Sequence, residues 1–472
     1  MRYLFLITAV LAFGGTLYAQ LDEATKQFSR DIFKQLIEIN TTESVGVTPA
    51  AEAMAQRFRK AGFPERDIYI GGPNERNKNL VVRLHGSDKH NPVLLIGHLD
   101  VVEARPQDWT TDPFTFVEKD GYFYGRGTQD MKDGDAILVT TLLRFKEEGY
   151  VPDRDLILAL TAAEEGGKDN GVEWLLKNHR DLLNAEFVLN HDGGEVQMDH
   201  DKPVAITVDA TEKLYSDYQV VVTNPGGHSS LPRPDNAIYE LANALVRLQH
   251  HQFPFELNSV TRAYYEHLAQ VEPGQRAADI LGVLRTPPDI DAVQRVSRDP
   301  IDNSRLHTTC VATRLEGGHA NNALPGRAEA VVNCRILPGH SKQEVRDELA
   351  RVFDDAQVQI RYIASNGDLS DTVTVQRAFA PPPPNPEVFH AVKTIAAKTW
   401  PGTPLFPTMA TGASDAVYTM AVGLPTYGVS GIETERNDHR EHGRDERVPA
   451  ASFFRGVQFY YDFLKVLTSA AH

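Results

Sequence analysis

Metal-ligating side chains recur where predicted strands of this 472-residue chain end. The segments LLIGHLD, YGRGTQDMKDG, LTAAEEGG and VLNHDGG each pass from an apolar or turn-rich run to an acidic residue or a histidine, namely His98, Asp130, Glu165 and Asp192. In open α/β sheets, sites form beyond the carboxyl ends of the strands, so we expect these side chains to converge. A fifth candidate, His442, lies in DHREHGRDERV.

The chemistry that this set favours is divalent metal binding. Two imidazoles and three carboxylates suit zinc or a similar ion, and they are enough for two ions if one carboxylate bridges. Each residue alone is a weak signal, because a single Asp or Glu in a loop is usually a cap or a solvated charge. The prediction therefore depends on the whole set and its order.

Two adjacent carboxylates, Glu164 and Glu165, stand where the apolar run 156–160 leaves the predicted core. An isolated Glu-Glu pair in such a place is usually part of a solvated loop. Beside divalent cations, however, the repulsion between two carboxylates is outweighed. The pair therefore fits the predicted metal site.

The elements that would position these residues follow an α/β pattern. Residues 21–210 alternate helical segments, such as ATKQFSRDIFKQLIEI, with apolar strands, such as PVLLIGHLD. This alternation predicts a sheet covered by helices on both faces. The pattern returns after the prolines at 381–384, with a helix, the short strand TYGVSG and a final helix. We predict an α/β catalytic domain with a central mixed sheet, split into residues 20–210 and 376–472.

Residues 211–375 are predicted to form a smaller α+β domain inserted between these two parts. Segments within 214–364 have the order strand, helix, strand, strand, helix, strand, which is the ferredoxin-like βαββαβ arrangement. A mostly helical insertion, about residues 252–305, interrupts this order after the first helix.

The order of the motifs resembles the dizinc peptidase family that includes aminoacylase, glutamate carboxypeptidase, carboxypeptidase S and succinyl-diaminopimelate desuccinylase. GHLDVV is similar to its first metal motif, GRGTQDMKDG to its bridging-aspartate motif, AAEEGG to its Glu-Glu motif and HGRDERV to its last-histidine motif. The resemblance covers about residues 25–468 and implies that the inserted unit is a lid or dimerisation domain. It also implies two zinc ions, for which cobalt or manganese can substitute.

A role for each predicted ligand follows from this resemblance. His98 and Asp192 would hold one ion, Glu165 and His442 would hold the other, and Asp130 would bridge the two. The implied protein is a metal-dependent hydrolase of peptide or amide bonds, and all five ligands are present.

The resemblance assigns further residues to catalysis and to substrate binding. Glu164 would be the general base for the attacking water, and Asp100 would orient the imidazole of His98. His228, in NPGGHSSLP, would stabilise the oxyanion in the active site of a partner subunit. The implied substrate-binding residues, for which ordinary turn and strand contacts are the alternative, are Asn322, Arg335 and Gly412.

Two motif positions match the family loosely. His439 is an alternative to His442, which we favour because a glycine and acidic residues follow it. Asp192 stands where many carboxypeptidases and deacylases of the family carry Glu, which favours a dipeptidase or aminopeptidase. The long insertion and the NPGGHSS segment resemble the carboxypeptidase S branch instead.

Composition and the first residues narrow the class of protein. The net charge of −16 argues against nucleic-acid binding, because nothing would offset phosphate repulsion.

The start MRYLFLITAVLAFGGTLYAQ has a positive residue, a short apolar stretch and a plausible cleavage site, as in a signal peptide of residues 1–19. The alternative is a retained membrane anchor. We expect a secreted or periplasmic protein without stable membrane insertion after cleavage.

The two cysteines, Cys310 and Cys334, exclude a disulfide framework and a thiolate metal cluster. They lie symmetrically about the polar segment GGHANNALPG, so they would face each other if the flanking strands pair around it. A disulfide is compatible with export, but two buried free thiols are the favoured interpretation.

We therefore predict a secreted dizinc hydrolase, acting on short peptides or N-acyl amino acids and forming a homodimer through the lid. A dipeptidase or aminopeptidase is the first interpretation, and a carboxypeptidase or N-acyl-amino-acid deacylase is the alternative. A non-catalytic peptide-binding homologue is a remote third interpretation, because it would require lost ligands.

Overall fold

The computed structural model describes residues 21–166, 169–364, 367–373 and 379–469. The predicted signal peptide, residues 1–19, and the predicted domain boundary at 375–376 lie outside these ranges. Within them, no helix combines the length and the apolar character needed to span a bilayer.

The strands are numbered along the chain: β1 Ile68–Gly71, β2 Asn79–Leu84, β3 Val93–His98, β4 Val117–Lys119, β5 Tyr122–Tyr124, β6 Leu156–Thr161, β7 Phe187–Asn190, β8 Val196–Asp199, β9 Lys202–Glu212, β10 Leu214–Thr223, β11 Gly227–His228, β12 Thr309–Gly317, β13 Ala323–Leu324, β14 Arg327–Ile336, β15 Gln359–Ile363, β16 Leu369–Ser370, β17 Leu405–Ala410, β18 Thr426–Gly428, β19 Glu433–Glu435 and β20 Arg447–Pro449.

The α-helices are α1 Glu23–Glu38, α2 Thr48–Lys60, α3 Lys132–Glu147, α4 Gly171–Asn178, α5 Ala237–His250, α6 Ser259–Val271, α7 Gly274–Val283, α8 Ile290–Val296, α9 Pro300–Leu306, α10 Lys342–Phe353, α11 Pro386–Thr399, α12 Ala416–Ala421 and α13 Ala450–Leu467. Short 3₁₀ helices cover Glu65–Asp67, Pro106–Asp108 and Arg180–Leu183.

The larger sheet is mixed and carries helices on both faces. Its strand order is β1-β2-β6-β3-β7-β18-β9-β8-β19, with β17 also paired to β9. Strand β3 is parallel to both β6 and β7. Val93 and Leu95 of β3 belong to the core under α1, α3 and α13, whereas Leu94 and Ile96 pack toward α4 on the other face. Burial of both faces explains the continuous apolar runs, and this architecture confirms the predicted fold class.

The second sheet has the order β12-β14-β10-β15-β16 and is antiparallel throughout. Its elements follow the chain as β10, α5, β12, β14, α10 and β15, which is the predicted βαββαβ order. Alternate residues of β10, including Tyr218, Val220 and Val222, pack with α5 and α10 into a separate core. The role of this unit as a lid or dimerisation domain stays a prediction.

The predicted helical insertion is built from α6, α7, α8 and α9, which share a small core of their own. Local sequence explains where these helices begin. Asn258 caps α6, and Asp289 and Asp299 cap α8 and α9, in each case by accepting hydrogen bonds from free backbone N–H groups of the first turn. Helix α6 packs against β17 of the larger sheet, so the insertion connects both sheets.

Cys310 and Cys334 form a disulfide. The expectation that the two cysteines face each other is confirmed, because β12 and β14 pair them directly. The preference for free thiols was wrong, because direct cross-strand pairing brings the two sulfur atoms within bonding distance.

Lys213 joins the two sheets at the point where β9 ends and β10 begins. Its side chain is fully buried. The Nζ atom donates hydrogen bonds to the backbone oxygens of Ser304 and His307, each at 2.8 Å, and contacts Thr309 Oγ1 at 3.3 Å. Burial lowers the pKa of Lys213 to about 7. This one amine therefore ties the sheet junction to the end of α9.

Replacing Lys213 by methionine should lower the free energy of unfolding by about 2–3 kcal/mol, because buried carbonyl oxygens would lose their donor. Chemical denaturation of the full chain measures this change. The control is Lys202→Met at the exposed start of β9, which should change stability by less than about 0.5 kcal/mol. Equal stabilities for the two variants would show that the junction does not depend on Lys213.

Candidate active site

The predicted ligands meet at one edge of the larger sheet. Strand β3 ends at His98, and Glu165 and Asp192 follow the ends of β6 and β7 by a few residues. Because these strands are parallel, their carboxyl ends lie at the same edge. Asp130 lies two residues before the start of α3, and His442 lies in the turn before β20. The predicted convergence is therefore present in the structure.

Asp130 lies between the two imidazoles. Its Oδ1 is 3.0 Å from His98 Nε2, and its Oδ2 is 3.0 Å from His442 Nε2. His442 Nε2 is also 2.9 Å from Glu165 Oε2, and His98 Nε2 is 4.0 Å from Asp192 Oδ2. The ligand atoms thus form two groups that share Asp130, each with its atoms within 4.8 Å of one another.

The charges of these groups explain why divalent cations fit them. Burial raises the pKa of the Asp192 carboxyl well above its usual range, and burial also raises the pKa of Glu165. Burial opposes ionisation of Asp130 as well, but hydrogen bonds from His442 and His98 lower its pKa. Carboxylates packed this closely need compensating positive charge, and nitrogen and carboxylate donors suit zinc and similar ions. Each group would hold one ion.

Glu164 lies beside this set without belonging to either group. Its Oε2 is 4.0 Å from His98 Nε2, and burial raises the pKa of its carboxyl well above the usual range. Ala163, just before it, has a left-handed backbone with φ of 59°, which turns the chain sharply after β6. This turn points the two adjacent glutamates differently, with Glu165 toward His442 and Glu164 toward His98.

Asp100 differs from its expected role. Its carboxylate is 3.9 Å from His98 Nδ1, whereas its backbone oxygen is 3.0 Å from the same nitrogen. The carboxylate instead accepts hydrogen bonds from the backbone N–H groups of Glu164, at 3.1 Å, and Glu165, at 3.0 Å. The main chain of Asp100 therefore orients the imidazole, and its side chain fixes the Glu-Glu turn.

The sequence analysis missed the buried pair of Arg126 and Glu446, although they lie in the motifs GRGTQDMKDG and HGRDERV. Glu446 accepts hydrogen bonds from Arg126 Nη1 at 2.6 Å, from Gln129 N at 2.7 Å and from Asp130 N at 3.2 Å. Arg126 in turn donates to the backbone oxygen of Gly443 at 2.9 Å, beside His442. The pair thus braces the Asp130 loop against the His442 turn.

The other two histidines of the motifs lie apart from the ligand groups. His439 contacts Glu441 at 3.6 Å, so the structure brings His442, and not His439, to Asp130. His191 is buried against the ring of Tyr460 at 5.0 Å, and burial lowers its pKa to about 3. This environment fits the structural role expected of His191.

The predicted substrate-contacting residues lie outside the ligand set. His228 is exposed on β11, where its Nδ1 is 2.7 Å from Ser230 Oγ, and the described residues show no hydrogen bond or ion pair between it and the ligands. Asn322 is adjacent, since its backbone oxygen accepts from Ser229 N at 3.1 Å. Arg335 lies over the ring of Tyr215 at 4.7 Å. Gly412 is exposed in the loop between β17 and α12.

Comparison with known proteins agrees with this geometry. Residues 94–466 match the sequence model of Peptidase family M20/M25/M40. The chain is 28% identical over 432 residues to probable carboxypeptidase S-like 2 of Dictyostelium discoideum, covering 86% of this chain and 78% of that protein. It is 28% identical over 397 residues to the N-fatty-acyl-amino acid synthase/hydrolase PM20D1 of Xenopus tropicalis, covering 81% and 74%.

A solved structure shares the fold. The M20 family metallo-carboxypeptidase Sso-CP2 from Sulfolobus solfataricus superposes with a TM-score of 0.68 at 15% identity. The match covers 95% of this chain and all of that one. The likeness in fold therefore extends over nearly the whole chain.

The two adjacent glutamates should separate in function. Glu164→Ala should keep the metal content of the parent protein and lower kcat by at least about 100-fold, because a general base contributes that much or more. Glu165→Ala should lower the metal content, because it removes a ligand. Metal analysis of the purified variants, together with turnover rates, measures both effects. Equal metal loss in the two variants would refute the division of roles.

Glu446→Gln should weaken metal binding by about 10–100-fold, as expected when a residue that positions a ligand is changed. It should also lower the free energy of unfolding by about 3 kcal/mol, since Arg126 would lose its buried partner. Metal titration and denaturation test the two effects. Glu266→Gln, on the exposed side of α6, is the matched control. Unchanged metal affinity in Glu446→Gln would show that the pair does not position Asp130.

Proposed function

Because the chain belongs to Peptidase family M20/M25/M40, we propose that it hydrolyses the amide bond of N-acyl amino acids or of peptides with a free C-terminal carboxylate. Its family and its relatives show that this protein is a metal-dependent hydrolase acting on amide bonds. The names of its relatives support the proposed substrates. These relatives are a carboxypeptidase S-like protein, hydrolases of N-fatty-acyl amino acids and a probable succinyl-diaminopimelate desuccinylase.

One observation carries the proposal. Asp130 contacts His98 with one oxygen and His442 with the other, each at 3.0 Å. Glu164, which belongs to neither ligand group, has its Oε2 4.0 Å from His98 Nε2. A carboxylate that can bridge two ions, with one histidine available to each ion, suits a two-metal hydrolase. We propose zinc as the ion, with cobalt or manganese as substitutes.

The residues of the chain would divide the reaction among them. Bound divalent ions would polarise the scissile carbonyl and lower the pKa of water. Glu164 would take the proton from the attacking water on its carboxylate and deliver it to the leaving nitrogen. Asp100 would keep Glu164 in place through the backbone N–H groups of the turn. His98 is held in a fixed orientation by the backbone oxygen of Asp100.

A homodimer through the second sheet is part of this proposal. His228 is exposed and away from the ligands, so it would act on the oxyanion only from a partner subunit, and Asn322 beside it would contact the same substrate. Exposed apolar side chains on the edge strand β12 and on α5 support such an interface: Val311, Leu315, Tyr239 and Val246. Light scattering of the purified protein tests the assembly.

Export is proposed from the first residues alone. The segment 1–19 has the charge, the apolar stretch and the small residues of a cleavable signal. Sequencing the amino terminus of the protein recovered from the periplasm or medium tests this directly, and a mature chain beginning near Gln20 is expected.

Three matched substrates distinguish a carboxypeptidase or deacylase from a dipeptidase or aminopeptidase. They are alanyl-alanine, its N-acetyl form and its C-terminal amide. The zinc-loaded protein should cleave N-acetyl-alanyl-alanine but not alanyl-alanine amide, because the proposed enzyme requires a free carboxylate and tolerates a blocked amine. Chelation should abolish turnover, and added zinc should restore it. Cleavage of alanyl-alanine and its amide, with no cleavage of the acetylated form, would establish the dipeptidase or aminopeptidase interpretation that Asp192 favours.

A further inference from the structure

A cavity of about 330 Å³ adjoins the predicted metal ligands. Asp130 and Asp192 line one part of it, and the strands β9 and β17 contribute Thr207, Asp209 and Thr408. The remaining wall includes Arg305 from α9, at the end of the helical insertion. Its volume lies within the range of small-molecule sites, roughly 300–1,000 Å³. The insertion therefore reaches the same cavity as the ligands.

The guanidinium of Arg305 is held by an aromatic residue of the insertion. Its Nη1 donates to the hydroxyl of Tyr264 at 2.9 Å, and its carbon lies 4.4 Å from the centre of the same ring. Tyr264 in turn packs on Phe406 of β17, with ring centres 5.8 Å apart. Contacts to helix and sheet thus fix the direction in which this side chain extends.

Arg305 lacks the anionic partner that such a position calls for. Its Nε is buried and has no hydrogen-bond acceptor, and no carboxylate of the described residues forms an ion pair with it. A buried donor without an acceptor costs about 1–3 kcal/mol. The guanidinium fork is shaped to bind a carboxylate through two parallel hydrogen bonds. An anionic ligand in the cavity would therefore give the guanidinium a partner within ion-pair distance, which the described carboxylates do not supply.

The neighbouring carboxylates already have hydrogen-bond partners. Asp209 accepts from Thr408 Oγ1 at 2.6 Å and from Gly194 N at 2.9 Å, and Glu195 accepts from Gln197 at 2.9 Å. Among the residues that line the cavity in the described part of the chain, Arg305 supplies the positive charge. Positive charge in the cavity is thus concentrated on one side chain, which is not one of the predicted metal ligands.

We propose that Arg305 is a specificity-determining residue whose guanidinium binds the free carboxylate of the substrate while the scissile amide lies at the metal ligands. This inference rests on the proposed function and adds the residue that recognises the carboxylate. Arg335, which the resemblance implies for this task, lies over Tyr215 on the second sheet and does not line the cavity. The helical insertion would thus select substrates by charge.

The test compares N-acetyl-alanyl-alanine with its C-terminal amide in the zinc-loaded full chain. Arg305→Met should raise KM for the acid by about 10–100-fold, the loss expected for a charged hydrogen bond, with a much smaller change in kcat. The amide, which the parent protein should not cleave, is measured as a competitive inhibitor, and its Ki should stay unchanged. Arg305→Lys should recover part of the affinity for the acid, because it keeps the charge. Arg298→Met, an exposed arginine of the same insertion, is the control.

A binding measurement keeps this inference separate from the proposed function. Calorimetry with the Glu164→Ala background should show that Arg305→Met weakens binding of the acid by the same factor, while the melting temperature stays close to that of the background. Equal effects on acid and amide, or a selective effect in Arg335→Met instead, would overturn the role of Arg305 and leave the proposed function standing. Failure of the parent protein to cleave or to bind N-acetyl-alanyl-alanine would overturn both the role of Arg305 and the proposed function.

Discussion

The site depends on the carboxylate of Asp130 lying between two imidazoles. Each of its oxygens is 3.0 Å from a histidine nitrogen, so a displacement of this one group would disturb both predicted ion sites together. The protein fixes it from behind with the buried Glu446, which accepts hydrogen bonds from the backbone of the Asp130 loop. Arg126 neutralises Glu446 and holds the turn that carries His442. The predicted bridging residue is thus supported by a buried ion pair that belongs to neither predicted ligand group.

The rest of the fold positions the loops that carry the other predicted ligands around Asp130. Parallel pairing of β3 with β6 and β7 brings three loops to one edge of the sheet, and the carboxylate of Asp100 ties the first loop to the second. The inserted unit adds a second sheet beyond Lys213, and its helices extend Arg305 into the cavity beside the ligands. One part of the chain thus carries the predicted reacting groups, and in our proposal the insertion discriminates among substrates.

Much of this arrangement was predictable because it depends on local patterns. Apolar runs that end in His98, Glu165 and Asp192 predict both the strands and the edge at which they meet, and the motif spacing singled out His442 over His439. Contacts across long sequence separations were not predictable in the same way. The Asp100 carboxylate could turn toward His98 or toward the backbone of Glu164, and its choice depends on how the loop after β6 folds back on β3. The disulfide likewise depends on the register of β12 against β14, and Arg305 on how α9 packs.

Two ions are expected to bind to this protein, one on each side of the Asp130 carboxylate. Anomalous X-ray diffraction at the zinc absorption edge, on crystals of the zinc-loaded protein, tests it most directly. We expect two peaks that share the carboxylate of Asp130, one also contacting His98 and Asp192 and the other contacting Glu165 and His442. A single peak, or peaks that do not contact Asp130, would contradict it.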